Sequence, residues 1–198
     1  MADKASTTSV EFRLNRVRLS FHDLWDPVEF KPGDGKPRYN ATFLIEPGSD
    51  NAKKIEDAIN TVAQVYGKKM ASNLEAWEKN TQKKCYYAGE IGGYDGWEGK
   101  MVLASHSKAK PKILGQRPRR EDGSENILLP EDGRPYSGCY VNAIVSVYAQ
   151  QGENPGLRSS FSGVQFHSDG EAFAGGRPAS ADDFDEVPEE GANADDLG

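Results

Sequence analysis

The chain of 198 residues is poor in the residues that mark most catalytic and disulfide-built proteins: two cysteines, three histidines and no long apolar run. Each shortage excludes something. Cys85 and Cys139, far apart in sequence, do not make a disulfide framework. No stretch approaches the ~20 consecutive apolar residues that span a bilayer, and the first eight residues lack the apolar core of a signal peptide. The expected compartment is therefore the cytoplasm, with no membrane partner. His22, His106 and His167 stand apart, and Gly-x-Ser-x-Gly, Walker-type and Cys-x-x-Cys motifs are missing. Cys85, Cys139, His106 and His167 follow no zinc spacing. A nuclease would need clustered carboxylates and metal, but the dense carboxylates here sit at the end of the chain. The reading is of a non-enzymatic protein with no cofactor and no metal.

Summed over residues 1–176 the chain also lacks net charge; all of it lies in the last 22 residues. It has 24 basic and 31 acidic residues in all. Residues 177–198 hold eight of the acids (Asp182, Asp183, Asp185, Glu186, Glu189, Glu190, Asp195 and Asp196) against Arg177 alone, a net charge of −7. Without them 23 of each sign remain. Such an acidic segment cannot bury enough apolar surface to fold, and its like charges extend it. It is read as an element for partner contact, or as a competitor for something basic. The body supplies that basic surface. Lys100, Lys108, Lys110, Lys112, Arg117, Arg119 and Arg120 give +7 over residues 100–120, with no acid among them. The overall pI of about 5 conceals a surface that could meet a polyanion.

The expected division is a disordered N-terminus (1–9), one domain (10–176) and a disordered acidic tail (177–198). Within the domain, Val10, Phe12 and Leu14 share one strand face. The alternation then slips by one, and Val17, Leu19 and Phe21 continue it, as a β-bulge at Asn15–Arg16 would require. Arg13, Arg16 and Arg18 face the other way. A second strand runs Tyr39–Ile45. Ser49 or Asp50 caps a helix carrying Ile55, Ile59, Val62 and Tyr66, which Gly67 can stop. Met70, Leu74 and Trp77 predict a second short helix. Strand-like runs follow at Cys85–Ala88, Gly99–Ser105, Lys112–Leu114, Cys139–Ala149 and Leu157–His167, with Arg117–Pro135 a long polar loop. In Cys139–Ala149, Cys139, Val141, Ala143, Val145 and Val147 line one face. The expected fold is mainly β, a small Greek-key barrel with one or two inserted helices.

Aromatic and basic residues are interleaved. Lys36 and Arg38 precede Tyr39; Lys83 and Lys84 precede Tyr86 and Tyr87; Lys100 follows Trp97. Unpaired nucleic acid is held by cations on its phosphates and by rings stacked on its bases. Buried tyrosines and solvated lysines give the same pattern. The run Gly92-Gly-Tyr-Asp-Gly-Trp-Glu-Gly99 lacks the strand-then-helix setting of a dinucleotide loop. It reads either as a hairpin loop or as an arm presenting Tyr94 and Trp97.

Five segments carry a resemblance. Arg18-Leu-Ser-Phe-His-Asp-Leu-Trp25 and Tyr39-Asn-Ala-Thr-Phe-Leu-Ile-Glu-Pro47, ahead of the Ile55–Ala63 helix, resemble the first half of a family of bacteriophage single-stranded DNA-binding proteins. Met101-Val-Leu-Ala-Ser-His-Ser-Lys-Ala-Lys-Pro111 and Pro135-Tyr-Ser-Gly-Cys-Tyr-Val-Asn-Ala143 resemble its second half, and Ser162-Gly-Val-Gln-Phe-His-Ser-Asp-Gly-Glu171 its closing segment. The order of segments over residues 10 to 176 is what is specific. The resemblance implies an OB-fold, coating of unpaired DNA in replication and recombination inside an infected bacterial cell, and an acidic C-terminal tail. The resulting expectation is sequence-independent binding of single-stranded DNA. Arg16, Arg18, Lys36, Arg38, Lys83, Lys84, Lys100, Lys108, Lys110 and Lys112 would meet phosphates. Tyr39, Tyr86, Tyr94, Trp97 and Tyr140 would meet bases. Asp182, Asp183, Asp185, Glu186, Asp195 and Asp196 would contact replication or recombination proteins. The rival expectation is an adaptor or inhibitor whose acidic tail mimics DNA.

Overall fold

In the computed structural model, which describes residues 8–66, 73–151 and 154–173, the alternation that starts at Val10 becomes one long strand, β1 (Ser9–Val28). The slip is a bulge. Leu14 lies opposite Ala143 and Val17 opposite Val141, so β1 spends one residue more than its partner. Arg16 absorbs it at a left-handed φ of 48°. The bulge leaves no backbone group stranded. The Arg16 N–H donates to Asn142 Oδ1 at 2.9 Å. The Asn15 N–H donates to Asn51 Oδ1 at 3.0 Å, and Asn51 Nδ2 donates back to the Asn15 carbonyl at 2.8 Å. Leu14, Val17 and Leu19 point into the core as expected. Phe21 does not. A second register shift between Leu19 and His22 turns its ring outward, 50% exposed, and Leu24 takes the core position.

The remaining strands and the long helix are β2 (Arg38–Ile45), α1 (Asp50–Tyr66), β3 (Tyr86–Ala88), β4 (Met101–Ser107), β5 (Lys112–Arg119), β6 (Glu125–Ile127), β7 (Tyr140–Gln150) and β8 (Gly156–Ser168), with short helical turns at Gly89–Gly92 and Pro130–Asp132. They form one sheet in the order β3-β4-β2-β1-β7-β8-β5-β6. β1, β2 and β4 make an antiparallel meander, and β7 then β8 lie on the far side of β1. This is the Greek-key order of an OB-type barrel.

The barrel closes through residues 83–88. The Ala104 N–H donates to the Cys85 carbonyl at 2.9 Å, the Cys85 N–H to the Leu157 carbonyl at 3.0 Å, and the Leu157 N–H to the Lys83 carbonyl at 2.8 Å. Across this seam Ser105 Oγ and Ser159 Oγ share a buried hydrogen bond of 2.7 Å. α1 plugs the barrel with Ala52, Ile55, Ala58, Ile59 and Val62. Its cap is Ser49, whose Oγ accepts the Ala52 N–H at 3.2 Å. The β7 face carrying Cys139, Val141, Ala143, Val145 and Val147 is buried throughout, as the alternation requires.

Two expectations need correction. Arg117–Pro135 is not a plain loop: β5 runs on to Arg119 and pairs with β6, Arg119 lying opposite Glu125. The short helix around Met70 is described only from residue 73, where residues 73–76 are helical; Gly67 and Met70 lie outside the described residues.

Candidate nucleic-acid interface

Three of the five rings expected to meet bases are buried. Tyr39 and Tyr86 face the barrel core. The Tyr86 hydroxyl has no hydrogen-bond partner among the described residues, and burial pushes its pKa up to about 12. Trp97 is 3% exposed, packed with Leu44, Tyr87 and Val102, and its Nε1 donates to Ser20 Oγ at 2.9 Å. Its indole lies against Gly92 so closely that a Cβ there would come within 2.4 Å of the ring. These three side chains hold the fold, and the expectation that their faces are open is wrong. For Tyr39 and Tyr86 pattern misled because a ring on a strand is equally compatible with either face; Trp97 lies in a loop, where no alternation applies.

Trp97 instead supports an exposed pair. Tyr94 is 51% exposed and lies edge-on to Phe21, with ring centroids 4.7 Å apart. Trp97 sits behind both, 4.8 Å from Tyr94 and 5.8 Å from Phe21. With Trp25, Tyr136 and Phe173 these rings line a cleft of about 650 Å³. Phe21 was assigned to the core by alternation; only the second register shift of β1 brings it here. Tyr140 is half-buried on the outer face of β7, with the Arg16 guanidinium 4.4 Å above its ring.

The expected cations divide into engaged and open. Arg18 donates to the Gly138 carbonyl at 3.2 Å and the Glu171 carbonyl at 2.7 Å, and stacks 4.3 Å over Phe173. Lys100 pairs with Glu46 at 2.5 Å. Lys112 reaches both Glu125 oxygens, at 2.7 and 2.9 Å, across the β5–β6 hairpin. Lys83 donates to Asn154 Oδ1. Lys84, half-buried, lies on the closing seam. Lys36, Lys108 and Lys110 are exposed, and Arg38 and Lys108 share the lining of a second, polar cleft. The basic run is therefore not one continuous patch. Asp182, Asp183, Asp185, Glu186, Asp195 and Asp196 lie outside the described residues.

The thiols offer no reactive group. Burial raises Cys85 to about 12 and Cys139 to about 11. Among the described residues no three His, Cys, Asp or Glu side chains group as a metal site. No helix among them is long and apolar enough to cross a membrane.

Comparison with known proteins agrees with this architecture. The family model described as Enterobacter phage Enc34, ssDNA-binding protein, matches residues 10–197. A protein named p50 from Acyrthosiphon pisum secondary endosymbiont phage 1 is 34% identical over 181 residues, covering 90% of this chain and 94% of that relative. The solved structure of the bacteriophage Enc34 single-stranded DNA-binding protein in complex with ssDNA superposes with a TM-score of 0.60 at 20% identity, over 83% of this chain and 89% of that one. A further structure of the Enc34 protein gives a TM-score of 0.54 at 19% identity, over 88% and 90%.

Proposed function

This chain belongs to the family of the Enterobacter phage Enc34 ssDNA-binding protein, and on that premise we propose that it coats unpaired DNA, without regard to sequence, during replication or recombination. The observation that carries this reading is the exposed Phe21–Tyr94 pair over its aromatic cleft. Ring faces stack on any base, and scattered cations neutralise the phosphates between them. Phe21 and Tyr94 are the stacking candidates, and Tyr140 beneath Arg16 is a third. Lys36, Arg38, Lys108 and Lys110 are candidates to take phosphates, while Arg18, Lys100 and Lys112 must first leave partners within the chain. The family is one of binders rather than enzymes, and no catalytic step enters the reading.

The binding unit on this reading is residues 10–176, acting in the cytoplasm of an infected bacterium. Residues 177–198 compete with DNA for the basic surface and meet replication or recombination proteins through their carboxylates. Their net charge of −7 beside a neutral body supports this division. A gel-shift comparison with unpaired and duplex oligonucleotides of equal length tests the reading. Single strands should bind at least ~10-fold more tightly, because stacking needs exposed base faces. Equal affinity for both, or no binding at low salt, would sink it.

A further inference from the structure

The seam that closes the barrel collects positive charge that no carboxylate among the described residues pairs with. A cleft of about 410 Å³ is lined there by Arg38 from β2, His106 and Lys108 at the end of β4, and Tyr148, Gln150 and Ser160 from β7 and β8. Arg158 of β8 lies opposite Tyr148 in the β7–β8 register. It is partly buried, and its guanidinium donates to the backbone carbonyls of Gln82 and Asn154. Those bonds fix its position without cancelling its charge. The four ion pairs among the described residues involve none of Arg38, Lys108 or Arg158. No carboxylate lines the cleft. Asp23, two strands from His106 by register, is engaged by the Asn40 amide at 2.9 Å.

Arg38 and Lys108 line this polar cleft and Arg158 stands beside it, opposite the cleft residue Tyr148, so that like charges are held near one another and repel. The imprint is on the neighbours. Burial, then Arg38, Arg158 and Lys108, hold His106 down to about 4, so its ring is neutral at pH 7. Arg158 itself is lowered, by burial first and by Arg38 among its neighbours. The Tyr148 hydroxyl, raised by burial against the pull of Arg158 and Arg38, stays protonated and able to donate. Planar guanidinium forks and a lysine around a hydroxyl donor match the oxygens of a phosphate.

We propose that Arg38, Lys108 and Arg158, gathered around His106 and Tyr148, form a discrete subsite that grips one phosphodiester of a bound single strand. This rests on the single-strand reading above and deepens it. The bound phosphate supplies negative charge beside these groups and favours the protonated form of His106, raising its midpoint. The subsite therefore couples binding to pH in a way that a diffuse basic surface does not.

The experiment uses the full chain, a thymidine oligonucleotide and the double variant R38Q/K108A, which removes two exposed or half-exposed side chains outside the hydrogen-bond ladder. Fluorescence anisotropy over a salt series should give a slope shallower by about 0.7 than wild type, the contribution of one phosphate on a single strand, with about tenfold weaker binding at low salt. A nuclear magnetic resonance titration of His106 should show its midpoint rising when wild type is saturated with oligonucleotide, and staying put in the variant. Inorganic phosphate alone should leave the midpoint where it is. An unchanged slope, or a His106 midpoint unmoved by the oligonucleotide, overturns the subsite while leaving single-strand binding intact. An equal shift with inorganic phosphate makes the cleft a free-anion site and overturns its assignment to the strand. If wild type itself binds no oligonucleotide, the reading of the previous section falls first.

Discussion

Trp97 and Tyr94, three residues apart in one loop, have opposite tasks, and only their surroundings separate them. Trp97→Ala should cost roughly 3–5 kcal/mol of stability, because it empties a packed site and strands the Ser20 hydroxyl. Tyr94→Ala should leave stability within ~0.5 kcal/mol and cost about 1–3 kcal/mol of single-strand affinity. Chemical denaturation and oligonucleotide titration of both variants check this; a Tyr94 variant with wild-type affinity removes that ring from the interface. His106 sets a second expectation. In the unfolded chain it titrates near 6.5, whereas in the fold it takes no proton until about 4. Between those values the unfolded state binds more protons, so stability rises with pH through this window and falls as pH drops from about 6.5 toward 4. His22, lowered mainly by burial, adds in the same direction. The His106 share is at most about 3 kcal/mol. Thermal melts between pH 4.5 and 7 should show the loss, and His106→Asn should flatten it. An unflattened profile would assign the pH dependence elsewhere.

Strand β1 shows where pattern is informative and where it stops. The slip at Asn15–Arg16 was legible because a period of two leaves no other way to keep Leu14 and Val17 on one face. The second shift, past Leu19, was not: Ser20, Phe21 and His22 fit either register, and the Trp97–Ser20 contact decides between them only after the chain has folded. The β5–β6 hairpin was missed for a related reason. Lys112–Leu114 was legible, but the extension of β5 through Arg117 and Arg119 and the three residues of β6 are mainly polar, so no apolar alternation marks them. What anchors the first bulge lies outside the strand altogether, in the side chain of Asn51 on the first turn of α1. Asn51→Ala removes both bonds to Asn15 and should cost roughly 1–2 kcal/mol. Amide hydrogen exchange should quicken at Asn15, while the opposite end of β1 keeps its protection. Uniform loss of protection would mean that α1 packing, not the bulge, had failed.

At the scale of the whole molecule, charge was the most legible property and its placement the least. Composition reveals a neutral body and an acidic end, but Arg38, Lys108 and Arg158 come to one part of the barrel only because it closes between β4 and β8, which no local spacing records. The described chain ends at Phe173, under the Arg18 guanidinium and beside the aromatic cleft. The competition proposed above for residues 177–198 sets the last expectation. A short tether holds its charges at about millimolar effective concentration. On that proposal an incoming strand displaces them, and part of its electrostatic gain is cancelled. Deleting residues 177–198 should therefore tighten single-strand binding, and most at low salt. The difference should shrink as ionic strength rises, since at physiological salt charges more than about 8 Å apart are largely screened. Titration of full-length and truncated protein at two salt concentrations checks this. Identical affinities at both would leave the tail a contact for partner proteins alone, and the competition with DNA would be abandoned.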